Sequence, residues 1–372
     1  MKRYRTLFIF GTRPEAIKLC PVINHLRCRP EFEVSVCSSA QHRELLDQVL
    51  AAFQVAPDFD LDAMLPGQTL TQAAARILAG LEPIIRKVRP DIILVQGDTT
   101  TTLCGALAAF YQKIPAGHVE AGLRTWDNLQ PFPEEMNRVL TTRLASLHFA
   151  ATDWAAANLA REGVDSSRVV VTGNPGIDAV LYVKEMLELG KLKGTEWQPD
   201  PTRKLIVVTA HRRESFGAGF ERICSALRRL AERPDIQIVY PVHPNPNVRE
   251  PVRRNLAGLP NVQLMEPLDY VPFVDLMRRA WLLITDSGGI QEEGPSLGKP
   301  ILVLREKTER PEAVRAGTVK LVGTDEANLL REVERLLDDP LEYERMAFIH
   351  NPYGDGRASI RIADSIVSFL KK

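Results

Sequence analysis

The stretch ITDSGGIQEEGPSLGKPIL, residues 284–302, decides the fold. An apolar strand closes at Thr285-Asp286, a glycine pair follows, a helix begins near Ser287, and an apolar strand resumes at Pro300. Strand, glycine turn, helix and strand make up the repeating unit of a buried parallel sheet. The glycines let an anion approach the backbone, and the helix start offers free N–H groups. The alternative reading is a tight strand–helix turn in which Ser287 is a plain N-cap.

The same alternation extends outward in both directions. The spacing predicts strands at 6–10, 32–39, 91–97, 114–120, 147–152 and 169–173, then again at 204–210, 236–242, 262–266, 281–287 and 300–304. Helical patterns separate them, so the fold class is α/β with parallel sheets. Between the two series lies ELGKLKGTEWQPDPTRK (187–203), polar and broken by Gly194, Pro199 and Pro201. It is expected to link an N-terminal domain, 1–186, to a C-terminal domain, 204–353. After Gly354, residues 354–372 carry Ile362, Ile366 and Leu370 on one helical face.

A chain of 372 residues exceeds what one core commonly serves, which favours two domains. Its 47 basic and 47 acidic residues cancel, which argues against a nucleic-acid or membrane partner attracted by bulk charge. The cysteines, Cys20, Cys28, Cys37, Cys104 and Cys224, include no CxxC pair and read as free thiols of a cytoplasmic protein. No apolar run reaches the roughly 20 residues of a membrane span. The histidines form no HxxxH or HExxH pair, so no metal site is implied.

Ligands of open parallel sheets sit at the carboxyl ends of strands. Those ends are polar here: Gly11-Thr12-Arg13, Gly97-Asp98-Thr99, His118 and Glu120, His211-Arg212-Arg213-Glu214, His243, and Ser287-Gly288-Gly289. They can serve one site only if the two sheets face each other across a cleft. Arg13, Lys18 and Arg310 suit a diphosphate, and Glu293 suits ribose hydroxyls. The first turn lacks GxGxxG, which weighs against a nicotinamide dinucleotide. Asp98, Glu120 and the Glu134-Glu135 pair suggest acid/base chemistry. N-capping by Asp98 and a helix-dipole role for Glu134 and Glu135 are the plain alternatives. His211, followed by two arginines, is either phosphate-facing or structural.

Together these segments closely resemble the non-hydrolysing bacterial UDP-N-acetylglucosamine 2-epimerases. The resemblance is carried, in family order, by GTRPEAIK (11–18), AQHRELLDQVL (40–50), VQGDTTTTLCGAL (95–107), HVEAGLRT (118–125), PFPEEMNR (131–138), TGNPGIDA (172–179), TAHRRESFG (209–217), YPVHPNPNVREPV (240–252), the 284–300 stretch and ERPEAV (309–314). It implies two Rossmann-like domains of glycosyltransferase-B type facing across a cleft, with the C-terminal helix crossing back onto the first. It implies that Arg13, Lys18, Ser287, Gly288, Gly289, Glu293 and Arg310 hold UDP, that Phe273 packs on the uracil, and that the backbone near Leu268 reads it. Asp98, Glu120, Glu134 and His211 match the family's catalytic positions.

The implied reaction interconverts UDP-GlcNAc and UDP-ManNAc through elimination of UDP and a 2-acetamidoglucal, without cofactor, in a cytoplasmic homodimer serving cell-envelope polysaccharide synthesis. Some members bind a second UDP-GlcNAc as activator, and Gln41, His42, Arg212 and His243 match that region. Glu44 and Gly67 depart from the activated pattern, which carries glutamine and arginine there. The rivals are a hydrolysing epimerase, a glycosyltransferase of the same architecture and a non-catalytic nucleotide-sugar sensor.

Overall fold

The computed structural model describes residues 3–39, 43–65 and 67–371, leaving out the side chains of Arg43 and Glu44. Two compact units result: Met1–Ala179 with Tyr353–Lys372, and Val180–Pro352. The division falls inside the helix Pro175–Glu188 rather than at the polar segment 187–203, which belongs to the second unit. Composition marks 187–203 as loop-like. Yet Gly194 packs so closely on Asp275 that a Cβ there would lie 2.1 Å from Oδ2, and Thr195 N donates to the same oxygen.

The first unit holds β1 (Tyr4–Phe10), β2 (Phe32–Ser38), β3 (Phe59–Asp60), β4 (Ile92–Gln96), β5 (Ala116–Ala121), β6 (Leu147–Ala150) and β7 (Val169–Val171). They form one parallel sheet in the order β3-β2-β1-β4-β5-β6-β7. The second unit holds β8 (Lys204–Thr209), β9 (Ile236–Pro241), β10 (Val262–Met265), β11 (Leu282–Thr285), β12 (Ile301–Val303) and β13 (Val319–Leu321), ordered β10-β9-β8-β11-β12-β13 and again parallel. Both are doubly wound, Rossmann-type sheets whose order reverses beside their first strand. β3 and β13 are short edge strands, and Asp60 and Lys320 leave neither a continuous apolar run to read.

The strands are apolar on both faces, as helices on each side require. Leu7 to Phe10 and Ile92 to Val95 are fully buried. The helix Ala358–Leu370 belongs to the first unit and packs on the helix Arg13–Arg27. Asp178 accepts hydrogen bonds from Ala358 N and Ser359 N at its start, and Arg29 pairs with Asp364. Four cysteines are buried and Cys28 is exposed, and all five are free. Among the described residues no helix is long and apolar enough to cross a membrane.

At the first switch point, register places Phe8 beside Leu94, so the turns after β1 and β4 emerge side by side. One carboxylate joins them. Glu15 Oε2 accepts from Gly11 N (3.0 Å) and Thr12 N (2.7 Å), and Oε1 accepts from the hydroxyls of Thr99 (2.8 Å) and Thr102 (3.2 Å). Burial raises its pKa above the ordinary value, although those hydrogen bonds pull it down. Gly11 is required by space: a Cβ there would lie 2.0 Å from Ser39 Oγ and 2.8 Å from Thr101 Oγ1. Replacing Glu15 by Gln turns an acceptor into an NH2 group facing donors. Urea unfolding of Glu15→Gln should show a loss of roughly 1–3 kcal/mol. An unchanged midpoint would remove the carboxylate from this role.

Candidate active site

The bulk of the charged chemistry of the first unit gathers around Gly97. Glu120 is the last residue but one of β5, where the ladder to β6 shifts register between Val119 and Ala121, and it holds a left-handed φ of 63°. Such a bulge re-aims a side chain. Here it presents the carboxylate to Lys18 Nζ and Asn174 Nδ2 on one oxygen and Gln96 Nε2 on the other. Glu120 Oε2 also lies 3.7 Å from where a Cβ on Gly97 would sit. The next residue, Asp98, accepts from Arg138 Nε (2.9 Å) and pairs with its Nη2 (2.7 Å), while Asn137 Nδ2 donates to the Asp98 carbonyl (2.8 Å).

Asp98 is not the N-cap of the following helix. Thr99 caps it, accepting from Thr102 N. The paired glutamates also separate. Glu135 is buried, accepts from Thr125 N and Trp126 N, and pairs with Arg138 Nη1 at 2.9 Å. Glu134 is half-buried and has no hydrogen bond or ion pair to a described residue. The structure therefore brings Lys18, Glu120 and Asp98 together and sets Glu134 in the first turn of the helix whose Arg138 clamps Asp98. Arg13 begins the helix after β1 and has no ion pair to a described residue. Gln96 and Asn174, which hold Glu120, and Arg138, which holds Asp98, are partners that the sequence reading missed. Arg138 lay one turn beyond Glu134 in the quoted PFPEEMNR, the one signal that pointed to it.

His118 supports the same turn from below. It is fully buried, with Nε2 2.7 Å from the Gly97 carbonyl, so Nε2 donates and Nδ1 is left without a partner. Its register partner on β6 is His148, also buried. Burial lowers His118 to about 4 and His148 to about 3.

In the second unit, Thr209 pairs with Thr285, so the turns after β8 and β11 also emerge together. Asp286, fully buried, accepts from His211 N (2.6 Å) and Arg212 N (2.7 Å) on Oδ2. Ser287 stands at the N-cap position of the helix Gly288–Glu293, but its side chain makes no cap hydrogen bond. The Arg310 guanidinium lies against Gly288, where a Cβ would meet Cζ at 2.8 Å, and Nε donates to buried Glu292 at 2.8 Å. Gln291 ties the Ser287 carbonyl to Thr308, which in turn accepts from Arg310 N. Glu293 lies near the buried Tyr270 hydroxyl, raising its pKa further after desolvation. Phe273, half-buried, sits in the helix Tyr270–Arg279 just after Leu268. His243 is exposed, and its ring stacks on that of His211 with centroids 5.3 Å apart. Gln41 and His42 lie outside the described residues.

Two doubly wound units with charged side chains at their switch points define a Rossmann-type α/β enzyme. The family model for UDP-N-acetylglucosamine 2-epimerase matches residues 24–367. The UDP-N-acetylglucosamine 2-epimerase of Escherichia coli K12 is 57% identical, over 97% of this chain and 98% of its own. The UDP-GlcNAc 2-epimerase of Neisseria meningitidis, crystallised bound to UDP-GlcNAc, is 47% identical with a TM-score of 0.89, over 98% of this chain and 100% of its own. The glycotransferase of kitacinnamycin, 15% identical with a TM-score of 0.66 over 100% of both chains, shares the fold. The chain belongs to the UDP-N-acetylglucosamine 2-epimerase family.

The two buried histidines make the first unit acid-sensitive. The unfolded chain takes each proton near 6.5, the folded chain only near 4 and 3. Between those values the unfolded state binds more protons. Their stability contribution is therefore complete above about pH 7 and falls as pH drops through 6 and 5, by about 1 kcal/mol per pH unit per histidine. Urea midpoints measured from pH 7.5 to 5 should fall, and His148→Leu should flatten the slope. Equal slopes in the two proteins would contradict a neutral His148.

Proposed function

We propose that this enzyme converts UDP-N-acetylglucosamine reversibly to UDP-N-acetylmannosamine by eliminating UDP and adding it back, without hydrolysis. The C2 hydrogen has no adjoining carbonyl, so simple deprotonation would leave an unstabilised carbanion. Loss of the C2 proton to a base, with departure of UDP from C1, instead forms the C1=C2 double bond of a 2-acetamidoglucal. Return of UDP to C1, with a proton delivered to the other face of C2, gives the epimer. The route involves no net oxidation and balances without a redox cofactor.

The observation that carries this reading is the grouping around Gly97: Asp98 clamped by Arg138, Glu120 clamped by Lys18, and Glu134 open in the adjoining helix. Base and acid on opposite faces of C2 need carboxylates on separate elements, and these come from three. Arg13, Lys18 and Arg310, with the backbone of Ser287, Gly288 and Gly289, hold the diphosphate. Glu293 takes the ribose, Phe273 stacks on the uracil beside the Leu268 backbone, and His211 faces the leaving phosphate.

Exposed Phe110, Tyr111 and Leu140, on the packed helices Thr100–Tyr111 and Glu134–Leu144, supply an apolar face for a homodimer. A cytoplasmic role in cell-envelope polysaccharide synthesis fits the same reading.

In heavy water, UDP-ManNAc formed by the enzyme should carry deuterium at C2. Asp98→Asn, Glu120→Gln and Glu134→Gln should each lower turnover by roughly 10²-fold or more. UDP affinity should fall further in Arg13→Ala and Arg310→Ala. Product without C2 exchange would overturn the route, and free ManNAc as the first product would make the enzyme a hydrolase.

Activation by a second UDP-GlcNAc should be weak. Gly67 offers no cation, and its φ of +72° disfavours any side chain there. Initial rates should rise hyperbolically with UDP-GlcNAc, and UDP-ManNAc alone should react. A sigmoidal curve with no reverse reaction until UDP-GlcNAc is added would show strong activation through other residues.

A further inference from the structure

The turn after β11 contains a buried carboxylate that the reaction above does not use. Asp286 Oδ2 is saturated by the backbone N–H groups of His211 and Arg212. Oδ1 is buried and has no hydrogen-bond partner, and His211 Nδ1 faces it at 3.3 Å. A fully buried acceptor without a donor is costly, and His211 Nδ1, when it carries hydrogen, is placed to relieve it. On its other side the imidazole stacks on His243 with the rings 14° from parallel, so the carboxylate and the stack together fix the ring plane.

We propose that Asp286 is a positioning residue for His211. It holds the imidazole in the Nδ1–H tautomer and leaves Nε2 as the nitrogen that meets the substrate. This rests on the catalytic use of His211 proposed above. The groups facing the ring are Asp286, His243 and Arg212. Desolvation, aided by Arg212, lowers the pKa of His211 against the pull of Asp286. Near neutral pH the ring is then largely uncharged, and its tautomer decides which nitrogen can accept a proton.

Asp286→Asn makes a sharp test because the two side chains are isosteric. The amide oxygen keeps the two backbone donors, and the NH2 group then points at Nδ1 and donates to it. The tautomer should invert, moving the proton to Nε2. In the full-length enzyme labelled with 15N-histidine, and assigned with His211→Asn, the wild-type His211 should show a protonated Nδ1 and a bare Nε2. Asp286→Asn should show the reverse. Turnover should fall by roughly 10²-fold, with KM changed by less than about threefold, as befits a wrong tautomer. The double variant with His211→Asn should be no slower than His211→Asn alone, because Asp286 acts through that ring.

A wild-type His211 protonated at Nε2 would overturn the proposal without any variant having to fold. So would an unchanged tautomer in Asp286→Asn, or a further loss of turnover in the double variant. Wild-type turnover in His211→Asn would instead overturn the catalytic use of His211, while the nitrogen shifts would still decide the Asp286 contact.

Discussion

Each sheet of this enzyme depends on one buried carboxylate at its switch point. Two parallel strands that diverge to opposite connections leave turns whose backbone N–H groups have no ladder partner. In the first unit Glu15 gathers those of Gly11 and Thr12 and ties them to Thr99 and Thr102 across the sheet. In the second unit Asp286, at the end of β11, gathers those of His211 and Arg212 at the end of β8. The geometry is the same although the carboxylate comes from a helix in one case and a strand end in the other. Without these anchors the turns would be loops on the surface. With them, the turns are fixed platforms for charged side chains.

The chemistry follows from what stands on the platforms. Asp98 is one residue beyond Gly97, whose carbonyl is held by His118. Arg138 then spans Asp98 and Glu135, and Glu135 holds the backbone at Thr125 and Trp126. The open Glu134 thus stands on a helix start fixed by its own neighbour. On the second platform, Glu292 and Gly288 confine Arg310 close to Ser287. Preorganised groups of this kind stabilise developing charge without moving during a reaction.

Much of this was legible in the sequence. The apolar runs foretell every strand except the brief β3 and β13, and polar residues after strands mark the site, because burial leaves strand interiors no room for charge. Strand-end position singles out Asp98, Glu120, His211 and Ser287, which the fold sets at or beside the two switch points. It could not tell Glu134 from Glu135, since adjacent residues in a first turn differ only in which way the helix is rotated. Nor could it find partners such as Gln96 and Asn174, which reach Glu120 from other elements. The unit boundary was missed for a related reason: 187–203 has the composition of a linker, but Asp275 holds Thr195 and Gly194 against the second unit. Composition reports solvation, whereas a boundary is set by contacts.

The central claim is that the bond between C1 and the diphosphate oxygen breaks and re-forms in every turnover. UDP-GlcNAc carrying 18O in the C1–O–P bridge tests it directly. If UDP is eliminated, its β-phosphate rotates before returning, and the label should spread from the bridging to the non-bridging positions of recovered UDP-GlcNAc and UDP-ManNAc. Epimerisation that proceeds with the label confined to the bridge would contradict the account.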